Sequence, residues 1–166
     1  MKQLLDKQKL LSAGDRFSVF GVSFEVLKRD KETGNITCVT VEPWRNDSFD
    51  KNGESDFYKS EMRYLLAVFI AKIVESKKDL NLIKKQEHGE FARLMTKDEL
   101  QSVHFEIRSL AWTMEKSACK RYNTKMVVAM TNTGLLCNTK PTSHANIYPV
   151  LVFTKDIIRH LTFKPE

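Results

Sequence analysis

The amino-acid sequence predicts an α+β fold, with an antiparallel strand meander near the N-terminus, central long helices, and a C-terminal hairpin followed by a strand and a short helix. Three observations carry that expectation. Strand-like and helix-like segments come in separate runs rather than alternating, which disfavours a doubly wound parallel sheet. The 166 residues match the usual size of one domain and leave little room for two, so 1–166 is read as a single unit. A composition with 42% hydrophobic and 29% charged residues belongs to a chain that can bury a core, far from the regime of disorder.

The elements follow in order. Lys2 to Leu11 is a short helix candidate, stopped at Ala13-Gly14. Arg16 to Phe20, Val22 to Lys28 and Ile36 to Val41 are strand-like runs separated by Gly21 and by the turn-forming stretch Asp30 to Asn35. Pro43 closes this meander, and a polar loop over residues 44–56 follows. Ser55 or Asp56 is placed to cap a long helix carrying Tyr58, Met62, Leu65, Leu66, Phe69, Ile70 and Ile73. Its middle is apolar nearly all round, which predicts cover on more than one side. A short helix and a loop are expected between Ser76 and Arg93. Thr96-Lys97-Asp98-Glu99 then has the form of a capping box, and Leu100, Val103, Ile107, Leu110, Ala111, Met114 and Ala118 recur at helical spacing, predicting a helix to about Lys120. Lys125 to Met130 and Leu135 to Asn138 flank the turn Thr131 to Gly134 as a hairpin. Ile147 to Phe153 is a strand that Pro149 pushes toward an edge or a bulge, and Thr154 starts a last short helix.

Composition also bears on class. Three cysteines, Cys38, Cys119 and Cys137, are odd in number and widely spaced, unlike a secreted disulfide scaffold. Met1 to Leu11 alternates Lys with Leu and has no unbroken apolar core of a signal peptide. The stretch Leu65 to Val74 is about half the ~20 residues that a membrane span needs. The expectation is a cytoplasmic protein with no membrane partner. The net charge of +6 lies wholly in the last third: residues 116–166 hold 8 Lys/Arg against 2 Asp/Glu, whereas the two segments before them balance at 10 against 10 and 9 against 9. Such asymmetry suggests a surface for phosphate or for an acidic protein.

Enzymatic patterns fail on particular residues, so no catalytic residue, metal ligand or cofactor is assigned. Ser48 to Lys59 resembles a calcium loop around Gly53, but Lys59 stands where a bidentate Glu should close the site. His160-Leu161-Thr162 has no second copy to flank a phosphate, and His88-Gly89-Glu90 and His104-Phe105-Glu106 lack the Cys pair of a zinc deaminase. Glu75-Ser76-Lys77 has a nuclease spacing but falls at a helix end rather than on a strand.

One pattern is positional. On the predicted Thr96–Lys120 helix, His104, Arg108, Trp112, Lys116 and Lys120 recur every four residues, and Arg121 and Lys125 extend the positive run. Cations beside an exposed indole suit a phosphate backbone and a stacked base. Arg108, Trp112, Lys116, Lys120, Arg121 and Lys125 are therefore the candidate nucleic-acid-binding residues. The competing interpretation makes Trp112 core, overlaid by Lys and Arg stems. The expected function is a nucleic-acid-associated accessory or regulatory protein that binds DNA or RNA through a basic C-terminal surface. The alternative is a protein-binding module, homo-oligomer or subunit of a larger assembly, using Trp44, Trp112 or the apolar helices as an interface. A small hydrolase or transferase ranks third.

Overall fold

The structure, a computed structural model, describes residues 11–117 and 125–161. The helix expected over Lys2 to Leu11 falls almost wholly outside the described residues, as do Cys119, Lys120 and Arg121. Strands β1 (Arg16–Val19) and β2 (Val22–Arg29) are joined by Phe20 and Gly21, whose φ angles of 54° and 72° are the paired left-handed conformation of a two-residue hairpin turn. With β3 (Ile36–Thr40) they occupy the three segments read as a meander. Strand β4 (Arg45–Ser48) leads through a 3-10 turn at Phe57–Lys59 to helix α1 (Glu61–Ile73) and the single-turn helix α2 (Lys77–Leu80). Next come β5 (Ala92–Arg93), α3 (Lys97–Ser102), β6 (Leu110–Lys116), β7 (Val127–Thr131), β8 (Leu136–Thr139), β9 (His144–Ile147), β10 (Val150–Phe153) and a 3-10 helix at Lys155–His160.

The architecture is strand-rich: two five-stranded sheets, ordered β1-β2-β3-β10-β5 and β4-β9-β6-β7-β8, with few and short helices. This corrects the expected fold class, because the central long helices are absent. The helix predicted from Ser55 to Ile73 is divided. Asp56 accepts an amide hydrogen bond from Tyr58 and caps only the 3-10 turn, Ser60 is extended, and α1 begins after it with 13 residues.

The larger departure lies between Thr96 and Lys120. The capping box forms as the sequence suggests, with the Thr96 hydroxyl accepting from the Glu99 amide at 3.2 Å and the Glu99 carboxylate accepting from the Thr96 amide at 2.9 Å. Yet α3 stops at Ser102, Ser109 takes a left-handed φ of 57°, and the chain continues as β6. Leu110, Trp112 and Met114 then alternate onto one core, while Ala111 joins Leu100, Ile107, Met130 and Tyr148 in another. The apolar start of the strand, Leu110 to Trp112, and Met114 fit a helical period as well as an extended one. Pairing with β7 on one side and β9 on the other decides the conformation.

Pro149 is also better placed than expected. It precedes β10 rather than interrupting it, so β10 lies inside its sheet between β3 and β5, and the Pro149 carbonyl accepts from the Thr40 amide at 3.2 Å. The main core draws on both sheets and α1: Phe17, Phe24, Leu151 and Phe153 from the first, Trp112, Ala129 and Ile147 from the second, and Met62, Leu66 and Phe69 from the helix. Helix α1 is therefore pinned along one side only, and no helix of the described residues is long and apolar enough to cross a membrane.

Candidate interaction surface

The predicted row of cations does not exist as a row, since its helix does not form. Arg108 sits in the loop before β6, Lys116 at the end of that strand, and Lys125 ahead of β7, while Lys120 and Arg121 lie outside the described residues. Trp112 is 1% exposed. Its ring meets Phe49 edge-on at 5.5 Å, and its indole N–H donates to the Asp47 carbonyl at 3.0 Å. A ring with both faces packed offers nothing for a base to stack on, which corrects its assignment as a binding residue. The three described cations are each matched by a carboxylate: Arg108 with Glu42, Lys116 with Asp56 and Lys125 with Glu54, all at 3.3 Å. Those carboxylates come from the first third of the chain. The fold lays acid from one end of the sequence over base from the other.

The remaining constellations resolve into structural roles. In the loop that resembles a calcium site, Asp50 is buried and already saturated. Its Oδ1 accepts from the Asn52 and Glu54 amides at 2.7 and 3.2 Å, and its Oδ2 accepts from the Glu61 amide at 2.9 Å, closing the N-terminus of α1. Among the described residues no cluster of three His, Cys, Asp or Glu side chains could hold a metal ion. His104 lies 3.7 Å from the buried Glu25 carboxylate, which also accepts the His104 amide and faces Arg16 at 3.5 Å. No local pattern announces this link between the 103–109 loop and β2. Ser76, within the nuclease-like spacing, caps α2 by accepting from the Asp79 amide.

Two of the grooves among the described residues bear on the charge and on α1. One, of about 440 Å³, gathers Lys28, Lys84, Lys85 and Arg93, but Asp30 and Glu87 share it, and Arg93 is held bidentate by Glu99 at 2.6 and 2.9 Å. The other, of about 410 Å³, runs beside α1, with Arg63, Tyr64, Ala67 and Ile70 on one wall and Glu90 and Phe91 on the other. Behind it His88 lies 3.9 Å from the Tyr58 ring, and both attach to Glu90: the Tyr58 hydroxyl donates at 3.5 Å and the His88 amide at 3.0 Å. Burial, reinforced by the nearby Glu90 and Glu87 charges, raises the Tyr58 pKa. The phenol therefore stays protonated and serves as a donor that props this wall.

The outer face of α1 is the unusual surface. At about 100° per residue, Met62, Leu66, Phe69 and Ile70 point into the core, and Tyr64, Ala67, Val68 and Ala71 share the opposite side. Tyr64 is 74% exposed and Val68 43%, two of the four large exposed hydrophobic residues among those described. The other two, Leu135 and Leu136, lie at the hairpin leading into edge strand β8. A surface helix ordinarily carries charge on its solvent side. Here a stripe of four small or apolar residues runs for two turns, and the first charge to interrupt it at the C-terminal end is Lys72.

No family model, curated protein or solved structure matches this chain. The surface chemistry of the molecule itself is what remains to assign a role. Trp44, the other indole considered for an interface, is already engaged: its ring packs on Phe69 at 5.4 Å, and the Arg45 guanidinium lies over it at 5.2 Å. Of the three interface elements that the sequence offered, the apolar helix survives. Its outer stripe was hidden in the pattern because an apolar-all-round helix reads as doubly buried.

Proposed function

We propose that this protein is a protein-binding module or assembly subunit that engages its partner through the outer face of α1. The observation that carries the reading is the exposed Tyr64–Ala67–Val68–Ala71 stripe, the other exposed large hydrophobics among the described residues being confined to one hairpin. Isolated apolar side chains on a surface are ordinary. A contiguous stripe bordered by a groove is the signature of an interaction site, and an exposed tyrosine at its start is a residue type that dominates binding energy at such sites. The helix itself is rigid: it is anchored by Met62, Leu66, Phe69 and Ile70 and closed at its N-terminus by Asp50. A partner would therefore meet a preorganised surface. The cytoplasm, the compartment suggested by three scattered cysteines, is where this partner would be met.

The nucleic-acid reading has less support, since the indole is buried and the three described cations of the row face carboxylates. Association by α1 is tested in extracts of the cells that make the protein, by gel filtration of the wild type and of a Tyr64→Asp/Val68→Asp variant. The wild type is expected to elute as an assembly larger than a monomer. The variant, with circular dichroism unchanged, is expected to elute as a monomer. Wild type eluting alone, or a variant that stays in the assembly, overturns the reading.

A further inference from the structure

We infer that the partner on this face is a second copy of the chain, docked through an antiparallel α1 pair about a two-fold axis. The inference rests on the reading that the outer face of α1 is an interaction surface, and self-complementary charge carries it further. Glu61 and Lys72 are eleven positions apart, three turns of helix, so they fall within about 20° of each other on one flank of the apolar stripe. A two-fold axis perpendicular to α1 reverses the helix direction and sets each flank against its own image. Glu61 then stands opposite the partner's Lys72, and Lys72 opposite the partner's Glu61. A parallel pairing, about an axis along the helices, would instead set this flank against the opposite one and bring Glu61 to neither Lys72 nor its own copy.

Size follows the same symmetry. The midpoint between Glu61 and Lys72 falls at residues 66–67, and the apolar stripe is centred within a residue of it. In that register the bulky Tyr64 falls within two positions, about 3 Å, of the partner's small Ala71, and Ala67 near the centre lets the two backbones approach. Lys72 is exposed. Glu61 is half-buried and uses Oε2 to accept the Lys51 amide at 3.2 Å, a single hydrogen bond of a carboxylate that can accept several. A helix pair of this length makes a small interface of the weak, reversible class, with a dissociation constant on the order of 1–100 μM.

Sedimentation velocity on the purified protein tests this across that concentration range. Wild type is expected to pass from monomer to dimer. Lys72→Glu and Glu61→Lys each put like charges across both contacts and are each expected to weaken self-association about tenfold or more. Mixing the two variants re-forms both opposite-charge contacts in a heterodimer, expected within about threefold of wild-type affinity. Should Glu61→Lys fail to fold, the salt response of Lys72→Glu decides. Screening should strengthen its association and weaken that of wild type. A wild type that stays monomeric throughout overturns the second-copy inference. If the complex in extracts is nonetheless lost in Tyr64→Asp/Val68→Asp, the docking face stands and its occupant is a different protein. A dimer indifferent to both charge variants overturns the antiparallel geometry.

Discussion

Truncation of Trp112 to alanine separates the strand conformation of residues 110–116 from the helix that their spacing suggests. On the predicted helix the indole would stand beside solvent, and its loss would change stability by about 0.5 kcal/mol or less. In the structure it is 1% exposed, edge-on to Phe49, with its N–H bonded to the Asp47 carbonyl. Removing a fully packed tryptophan costs about 3–5 kcal/mol, and the abandoned carbonyl adds about 1 kcal/mol. The sum is a large part of the roughly 5–15 kcal/mol that holds a domain together. Urea unfolding followed by far-ultraviolet circular dichroism reads it directly. With a slope of about 2 kcal/mol per molar, the midpoint of Trp112→Ala should fall by roughly 2–3 M. Trp112→Phe, which keeps most of the ring contact but cannot donate, should fall by about half as much. A midpoint for Trp112→Ala within about 0.3 M of wild type, an ordinary surface effect, would refute the buried strand and return the indole to the surface.

Two further outcomes follow from buried carboxylates. Asp50→Ala removes the acceptor for three amides, including the first of α1, and should lower stability by about 2–3 kcal/mol in thermal unfolding. Adding calcium should move neither the wild-type nor the variant midpoint. Burial alone would raise the Glu99 pKa, but its bonds to Arg93 and Thr96 outweigh that and hold it below the usual carboxylate range. A lowered folded-state pKa means that ionised Glu99 stabilises the fold at neutral pH, and that this contribution is lost as pH falls through the lowered value. Glu99→Gln should therefore be less stable than wild type at pH 7, and the gap should close in acid, as measured by urea titrations at a series of pH values.

The parts legible in the sequence are those where a local signal and a tertiary demand agree. Gly21 and the Asp30–Asn35 stretch mark the turns of the first three strands, and Thr96 with Glu99 marks a helix start that forms as written. Residues 110–116 were misread: Trp112, Thr113, Met114 and Glu115 alternate with a period of two, but Leu110, Ala111 and Met114 also fit the helical spacing that starts at the Thr96 capping box. Its neighbours in the sheet, β7 and β9, begin more than ten and more than twenty-five residues further along the chain, and their pairing leaves no mark on the segment itself. The α1 stripe was misread for a different reason. The sequence shows that the middle of the helix is apolar nearly all round, and only the packing reveals that one side has no neighbour among the described residues.

The charge asymmetry shows how a count along the chain and a field in space come apart. The last third carries an excess of six positive charges, and on a linear reading these should repel one another or collect a polyanion. Strand β4 and the 49–56 loop, however, fold against β9 and β6, which carries Glu54 and Asp56 from the first third to Lys125 and Lys116. These two ion pairs are local matches that a count by segment does not show, and the chain as a whole keeps its surplus of +6. An interface that depends on a few well-placed charges around an apolar centre, such as Glu61 and Lys72 about Ala67, is invisible to that count as well, since its net charge is zero. For this molecule the informative electrostatic feature is the arrangement of a single opposite pair about a symmetry axis, and not the surplus.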